Sequence, residues 1–536
     1  MSGSTLAATL SASAGRPRLD QKPTRGTVTL FIALLVGGVV YVTYRLSRDF
    51  AAAGLHEAAY LPYLLLGVAL LIALGFEFVN GFHDTANAVA TVIYTHSLAP
   101  NVAVIWSGFF NFLGVLTSSG LVAFTIVSLL PVELILQVGS HAGFAMVFAL
   151  LIAAIIWNLG TWYFGLPNSS SHTLVGSIIG VGVANALMHG HDGTSGVDWS
   201  QAVKVGNSLL FSPVVGFICA GLLLLAMKAL IRQPALYQEP KNSRPPPWWI
   251  RFLLVLTCTG VSFAHGSNDG QKGMGLIMLI LVGIVPTAYA LNRAVPDSEV
   301  SQFVAVAQAT QQSLQRMAPA PAPADPKAVL TEYLRTKELN ARVLPALTAI
   351  TGSIGDQVGE YGTFKHLPGG AAANVRNDMY VASEAIRQLQ KNPKVSFTKD
   401  AANNLGAFKK NIDNATKFIP TWVKVAVAIA LGLGTMVGWK RIVITVGERI
   451  GKAHLTYGQG ASAEIVAMAT ISAADIYGLP VSTTHVLTSG VAGTMAANGS
   501  GLQWATVRNL AAAWVLTLPM AIVLSATLYW LFVHLP

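Results

Sequence analysis

Two short segments, far apart in the chain, carry the same arrangement of hydroxyl-bearing side chains. Residues 165–174 read GLPNSSSHTL and residues 478–487 read GLPVSTTHVL, so six of ten positions are identical and two more exchange Ser for Thr. Pro interrupts or starts a helix, and a Ser or Thr just after it can cap the new helix, whose N-terminus carries a charge of roughly +0.5. Such a helix end, with neighbouring hydroxyls, suits a tetrahedral oxyanion. The candidate donors are Ser169, Ser170, Ser171, Ser482, Thr483 and Thr484.

A histidine follows the hydroxyls in each copy of this segment. His172 and His485 could carry protons, donate hydrogen bonds to an anion or act as structural caps, and the sequence leaves these roles open. Two histidines without a third ligand nearby in the sequence do not predict a zinc site. Hydroxyls in membrane helices often satisfy only their own backbone, but the duplication favours a binding role for this set.

A second and weaker pair of segments lies upstream of the first, reading NGFHD at 80–84 and HGSND at 265–269. Both Asp84 and Asp269 adjoin long apolar runs, which predicts that the two carboxylates lie at membrane depth. An ionisable group there costs at least ~2.5–3.5 kcal/mol and commonly marks an ion path, a proton relay or a buried pair. In both halves the acidic element precedes the hydroxyl element, which indicates a duplicated transport fold.

Glycines next to these carboxylates predict breaks in the helices that carry them. Gly81, Gly266 and Gly270 could each interrupt a helix and free backbone carbonyls. Free carbonyls beside a carboxylate suit Na⁺, whereas a carboxylate alone suits H⁺. Asn87 and Asn268 could add amide ligands or serve as hydrogen bonds between helices.

Two further charged residues fall within apolar sequence. Lys272 lies three residues after Asp269 and could bind an anion, although the spacing favours a counter-ion for that aspartate. Glu77 fits a role in proton coupling and a role in a buried pair equally well.

The elements that would position these residues are membrane helices. Hydrophobic residues make up 53% of the 536, charged residues 11%, and the mean hydropathy is +0.55, which leaves too few polar side chains to cover a soluble globule. Runs of about 20 apolar residues, enough to cross a hydrocarbon core, predict an all-α polytopic membrane protein with about nine to twelve spans. They lie near 28–45, 61–80, 101–130, 142–164, 204–231, 250–264, 273–291, 420–438, 461–475 and 505–533.

The chain divides into membrane and polar parts. The net charge of +10 comes largely from basic loops, a pattern typical of membrane topology that argues against nucleic acid as a partner. The predicted parts are a tail with an extra membrane anchor (1–60), membrane repeat 1 (61–231), a basic connecting loop (232–249), the start of membrane repeat 2 (250–291), an extramembrane insertion (292–418) and the remainder of repeat 2 (419–536).

The motifs together resemble the PiT family of inorganic phosphate transporters, especially bacterial low-affinity permeases. The resemblance rests on GFEFVNGFHDTANA at 75–88, HGSNDGQKG at 265–273 and both GLP segments, and it covers about 60–290 and 420–533. It implies two inverted repeats with broken helices and re-entrant hairpins around a central phosphate site. By this resemblance the six hydroxyls bind phosphate, and the residues that couple transport to a cation are Asp84, Asn87, Asn268 and Asp269.

The second acidic motif departs from the commoner family form, in which Ala-Asn-Ala follows the aspartate. Gln271, Lys272 and Gly273 stand there instead, so a second asparagine ligand is in doubt and Lys272 is expected to modify the ion site. This replacement resembles bacterial members of the family, which favours protons over sodium.

The predicted function is therefore secondary active import of phosphate across a bacterial inner membrane by symport with H⁺, with phosphate carried as a neutral complex with a divalent metal. Coupling to Na⁺, or transport of sulfate or another oxyanion, are the alternatives. No resident cofactor or metal is predicted, lipid is a partner, and a homodimer is possible. A membrane receptor working through 292–418 is a further alternative. An intramembrane Ser-His-Asp hydrolase is disfavoured, because symmetric Ser/His pairs suit binding better than one catalytic triad.

Overall fold

The chain folds into α-helices wherever its structure is described. A computed structural model describes residues 17, 19, 23–54, 60–84, 86–130, 132–190, 196–240, 244–365 and 367–535, and within these it leaves aside the side chains of residues 60–62, 86, 87 and 369. These residues contain no β-strand, and their one isolated β-bridge joins Gly451 to Leu502. The prediction of an all-α fold is confirmed.

The helices before residue 240 are mostly long and apolar. They are α1 (Arg25–Ala52), α2 (Tyr60–Asp84), α3 (Ala86–Tyr94), α4 (Pro100–Thr117), α5 (Leu121–Val127), α6 (Val132–Leu136), α7 (His141–Tyr163), α8 (Ser170–Met188) and α9 (Trp199–Leu230), followed by a 3₁₀ turn at Pro234–Leu236.

The helices after residue 240 include a polar group between two apolar groups. They are α10 (Trp248–Ile284), α11 (Pro286–Tyr289), α12 (Asp297–Met317), α13 (Pro326–Thr336), α14 (Val343–Tyr361), α15 (Gly369–Lys391), α16 (Lys399–Thr416), α17 (Thr421–Thr435), α18 (Lys440–Ile444), α19 (Tyr457–Ile476), α20 (Thr483–Asn498) and α21 (Trp504–His534), with a π-helical turn at Thr445–Arg449 between α18 and α19.

Eight of the described helices are long and apolar enough to cross a membrane, or nine if α16 and α17, which meet at a bend of 66°, form one span. The number of spans agrees with the predicted nine to twelve only if this bent pair is counted as a span. One reason for the lower number is that the predicted spans 250–264 and 273–291 lie largely in a single helix, α10. The apolar stretch 101–130, predicted as one span, contains two helices, α4 and α5. Between them Gly120 has a φ of +88°, a left-handed conformation that glycine adopts without steric cost.

Helix α10 runs unbroken through Gly266 and Gly270, so the predicted helix break at these positions is wrong. Gly81 likewise lies inside α2. The glycines instead allow close helix packing: a Cβ on Gly266 would lie 2.1 Å from the carbonyl oxygen of Asn111, and one on Gly81 would lie 2.2 Å from that of Leu431. Small residues let backbones approach in this way in membrane bundles.

The two helices that follow the repeated hydroxyl segments occupy matching places. Helix α8 packs along α21, and α20 packs along α9, so each lies against a long helix from the other half of the chain. Helix α10 packs along both α4 and α19. The central part of α10, which carries the second acidic motif, is therefore enclosed by protein.

Helices α12 to α16 pack around an apolar core of their own. Its fully buried members include Leu347, Ile386 and Phe408. The predicted insertion 292–418, which contains these helices, is called the insertion below.

The insertion is tied to the membrane helices at Asp198, the residue that caps α9. Arg387 donates from Nη2 to Asp198 Oδ2 at 2.8 Å, and Lys337 Nζ lies 4.0 Å from the same oxygen. Burial opposes ionisation of Asp198, but the charges of Lys337 and Arg387 and the hydrogen bonds from Ser200 and Arg387 outweigh it, so the pKa of Asp198 lies below its usual value.

Candidate binding site for an anion and a cation

Both repeated segments begin their helices with a serine cap. The Ser169 hydroxyl accepts a hydrogen bond from the backbone N–H of His172 at 3.2 Å, and the Ser482 hydroxyl accepts one from that of His485 at 3.1 Å. The start of each helix is thus fixed by its own sequence, and the following hydroxyls project from the first turn.

One hydroxyl from each copy donates to the same carboxylate, that of Asp84 at the end of α2. Ser170 Oγ lies 2.6 Å from Asp84 Oδ2, and Thr484 Oγ1 lies 2.7 Å from Asp84 Oδ1. His83 Nδ1 is 3.1 Å from Oδ1. Asp84 is only 3% exposed. Residues separated by 86 and 400 positions in the chain therefore meet at one buried negative charge.

Asp269 lies beside this group and forms a buried ion pair. Lys272 Nζ is 2.7 Å from Asp269 Oδ2, and both side chains are inaccessible to solvent. Ser170 Oγ lies 3.4 Å from the same Oδ2 and connects the two aspartates. Among the described residues Asp269 Oδ1 has no hydrogen-bond partner. Of the two roles considered for Lys272, the geometry favours the counter-ion.

Three buried side chains of this group could hold a cation. Asp84, His265 and Asp269 each offer one ligand atom, and these atoms lie within 4.8 Å of one another. His265 Nε2 is 3.4 Å from Asp269 Oδ2. Carboxylate oxygens suit hard cations, and the same oxygens can take up a proton. The site therefore has groups that could bind H⁺ or Na⁺, the two coupling ions considered from the sequence.

The remaining predicted phosphate ligands have different surroundings. Ser171 Oγ donates to the carbonyl of Val481 at 2.8 Å, which links the two repeated segments directly. The Thr483 hydroxyl is buried and has no hydrogen-bond partner in the described part of the chain. Of the six hydroxyls, two cap helices, two donate to Asp84 and one links the two repeated segments. The sixth has no hydrogen-bond partner among the described residues.

The two histidines of the repeated segments come together. The rings of His172 and His485 have centroids 4.6 Å apart, and the ring of Trp514 lies 4.3 Å beyond that of His485. His172 Nδ1 is 2.8 Å from Ser169 Oγ. The Nε2 atom of His485 is buried and has no partner among the residues that are described. The pair thus joins the two helix starts.

The predicted asparagine ligands contribute less than the aspartates. Asn268 Nδ2 donates to the carbonyl of Leu479 at 3.0 Å, and its Oδ1 accepts from the N–H of Val481 at 3.4 Å. This side chain therefore holds the backbone that leads into the second hydroxyl segment. The side chain of Asn87 lies outside the described part of the chain.

Glu77 lies in the helix that carries Asp84 and is fully buried. Its Oε1 accepts from the N–H of Gly273 at 2.8 Å, and its Oε2 accepts from Asn80 Nδ2 at 3.4 Å. The residue joins α2 to α10 about two helical turns from Asp84 and one turn from Asp269. Its two predicted roles, in proton coupling and in a buried pair, stay predictions.

Two acidic residues of α19 that contact the helices around the site were missed in the sequence. Glu464 of α19 is fully buried and accepts hydrogen bonds from the hydroxyls of Thr91 and Thr257. Asp475, near the end of the same helix, accepts from Gln271 Nε2 at 2.6 Å. An acidic residue within the apolar run 461–475 was the signal that could have found both.

Comparison with known proteins gives matches to a family model, to two relatives from one bacterial strain and to a solved structure. Residues 80–525 match the model of the Phosphate transporter family. The chain is 42% identical over 492 residues to the Low-affinity inorganic phosphate transporter PitB of Escherichia coli (strain K12), a match that covers 88% of this chain and 97% of that protein. It is 41% identical over 507 residues to PitA of the same strain, covering 90% and 98%. A solved structure described as "The sodium-dependent phosphate transporter" is 21% identical, covers 87% of this chain and 98% of its own, and has a TM-score of 0.48.

Proposed function

The chain belongs to the phosphate transporter (PiT) family, and from this premise we propose that it imports phosphate by symport with H⁺. Membership makes it a phosphate transporter and a multi-pass membrane protein rather than an enzyme, in agreement with the sequence prediction. The coupling ion, the form in which phosphate travels and the bacterial inner membrane as its location belong to the proposal.

One observation carries the proposed coupling: Ser170 and Thr484, one from each repeated segment, both donate to Asp84. An ionised carboxylate competes with phosphate for these two hydroxyls. When Asp84 takes up a proton, it loses its negative charge and accepts hydrogen bonds from these two hydroxyls more weakly. The hydroxyls can then donate to the oxygens of phosphate instead. Proton binding and phosphate binding then favour each other, which is the thermodynamic requirement for symport.

The Asp269–Lys272 pair favours H⁺ over Na⁺ in this proposal. The ammonium group already neutralises Asp269 at 2.7 Å. A sodium ion entering here would be repelled by that positive charge and would face one uncompensated carboxylate rather than two. The second candidate, Na⁺ symport, is supported by the grouping of Asp84, His265 and Asp269 within 4.8 Å.

We further propose that phosphate travels as a neutral complex with a divalent metal. A neutral complex costs less to desolvate than a free anion, and it is not repelled by the buried carboxylates. Sulfate is the competing oxyanion. Phosphate still carries a proton near neutral pH and can donate a hydrogen bond to an acceptor such as the Nε2 atom of His485, which favours phosphate.

Uptake of radiolabelled phosphate into proteoliposomes tests the proposal. The purified protein is given an imposed pH gradient, with and without Na⁺ and Mg²⁺, and with excess sulfate. We expect uptake that follows the pH gradient, ignores Na⁺ and sulfate, requires Mg²⁺ and is lost in Asp84→Asn. The matched control is Asp356→Asn, an exposed aspartate of α14, which should transport normally.

Each contrary result removes a stated part of the proposal. Uptake driven by a sodium gradient at constant pH would replace H⁺ with Na⁺, and full uptake without a divalent metal would remove the metal complex. Competition by sulfate would remove selectivity for phosphate. Normal uptake by Asp84→Asn would remove the coupling mechanism.

A further inference from the structure

A cavity of about 360 Å³ lies between helix α15 of the insertion and the membrane helices α5 and α10. Its volume falls in the range of about 300–1,000 Å³ that is usual for small-ligand sites. Helix α15 lines it with Arg376, Tyr380, Glu384 and Arg387, whose spacing of three or four residues places them on one helix face. The opposite wall includes Gly275 of α10.

One wall of the cavity belongs to α10, the helix that carries Asp269 and Lys272. Gly275 lies three residues beyond Lys272 on α10, which is about 4.5 Å of helix rise. The N-terminal side of α5 forms another wall at Ser119, and Val122 of the same helix donates from its N–H to Gln271 Oε1 at 2.9 Å. Backbone and side-chain contacts thus join the cavity wall to the residues beside Lys272.

Both carboxylates that line the cavity are already paired with cations. Glu384 Oε2 is 2.6 Å from Arg387 Nε. Asp413 lies 2.5 Å from Lys409 Nζ and 3.0 Å from Lys417 Nζ. These acidic groups therefore repel an entering anion less than free carboxylates would.

Arg376 differs from the other cations of the cavity. No carboxylate in the described part of the chain forms an ion pair with it, and its one hydrogen bond there goes from Nη1 to Asn377 Oδ1 at 3.2 Å. The guanidinium also lies over the ring of Tyr380, 5.3 Å from the centroid. Its relative exposure is only 9%. Burial lowers the pKa of Arg376, as it does for a cation whose charge is poorly compensated.

We propose that this cavity is a second oxyanion site, in which Arg376 binds inorganic phosphate opposite the wall that Gly275 forms, about one helical turn beyond Lys272, as the ion moves to or from Asp84. The planar guanidinium matches two phosphate oxygens at once, and the Ser119 hydroxyl and the amide of Gln201 on the cavity wall can donate to the others. The inference rests on the proposed function, since it takes phosphate as the substrate.

Uptake kinetics in proteoliposomes with the full-length protein give the first test. Arg376→Gln should raise the KM for phosphate roughly tenfold and leave the maximal rate within about twofold, because loss of a charged hydrogen bond weakens binding by about this factor. Arg376→Lys should raise KM less. Arg316→Gln, an exposed arginine of α12 outside the cavity, is the matched control and should behave as the wild type.

Protection of a thiol gives a second test that does not depend on transport by the arginine variants. Ser119→Cys is placed in a Cys219→Ala background, where the remaining Cys258 is buried. Millimolar phosphate should slow reaction of this thiol with a maleimide several-fold, while chloride at equal ionic strength should not. Adding Arg376→Gln should abolish the protection.

The outcomes separate this inference from the proposed function. Wild-type protein that takes up no phosphate would refute the proposed function. Wild-type uptake, together with an unchanged KM in Arg376→Gln, would overturn only the second site. If Arg376→Gln does not fold, absence of phosphate protection at Ser119→Cys overturns the second site by itself, and protection that chloride does not reproduce supports it.

Discussion

Removing the positive charge of Lys272 tests the energetic role assigned to the buried ion pair. Lys272→Met keeps the length and apolar stem of the side chain but leaves Asp269 charged, fully buried and without its partner at 2.7 Å. Breaking a buried pair from one side costs about 3–5 kcal/mol, because one charge is left uncompensated. The cost should reach the upper part of that range, since Asp269 Oδ1 already lacks a partner among the described residues.

The measurement is the free energy of unfolding of the purified protein in mixed micelles, in a double-mutant cycle with Asp269→Asn. The double variant should recover most of the loss, because removing both charges removes the uncompensated one. The control Lys410→Met, at an exposed position of α16, should change the free energy by less than about 0.5 kcal/mol. Additive losses in the cycle would refute the ion-pair argument.

The Lys272→Met protein also provides a test of ion selectivity. If the ammonium group keeps sodium out of the site, its removal should make phosphate uptake respond to a sodium gradient. Uptake that stays independent of Na⁺ in this variant, while remaining active, would show that Lys272 does not set the choice of ion.

Three further predictions follow from contacts at the site and at the insertion. Gly266→Ala should lower the free energy of unfolding in micelles by about 1–3 kcal/mol, because its Cβ meets a carbonyl at 2.1 Å, whereas Gly75→Ala, which meets open space, should not be destabilising. Thr484→Val should raise the KM for phosphate uptake about tenfold, since it removes one of the two hydroxyls shared with Asp84. The pKa of Asp198 is lower in the folded than in the unfolded protein, so its ionised carboxylate stabilises the fold above the unfolded-state pKa, and this stabilisation is lost as the pH falls through the folded-state pKa. The free energy of unfolding, measured between pH 6 and about 3, should therefore fall further in the wild-type protein than in Asp198→Asn.

The sequence predicted those features that depend on neighbours along the chain. The i,i+3 spacing of Asp269 and Lys272 anticipated the ion pair, and the position of Ser169 and Ser482 after a proline anticipated the helix caps. Local spacing is sufficient for such contacts because helix geometry fixes which side chains are adjacent. The internal duplication showed that the two segments belong to related environments.

The contacts that assemble the site could not be predicted in this way. Thr484 reaches Asp84 across 400 residues, and no local rule determines which helices meet. The prediction of a helix break at Gly266 was wrong because a glycine can allow either a bend or a close contact between helices. Here the backbone of Asn111 lies against Gly266, which requires the close contact, and this neighbour cannot be read from the local sequence. Glu464 was missed although an acidic residue in an apolar run is itself a signal.

The shared carboxylate has a consequence for how the two halves of the protein can act together. Ser170 is the first residue of helix α8 and Thr484 is the second residue of helix α20, so protonation of Asp84 alters a contact in the first turn of both helices at once. The Ser171 hydrogen bond to Val481 already joins the two segments at 2.8 Å. Protonation of one carboxylate can therefore change the contacts of both halves directly, and no coupling between distant sites is needed. If proton coupling works in this way, loss of either hydroxyl should weaken the coupling of phosphate binding to pH, and loss of both should not weaken it by the sum of the two effects, because both act through the same charge.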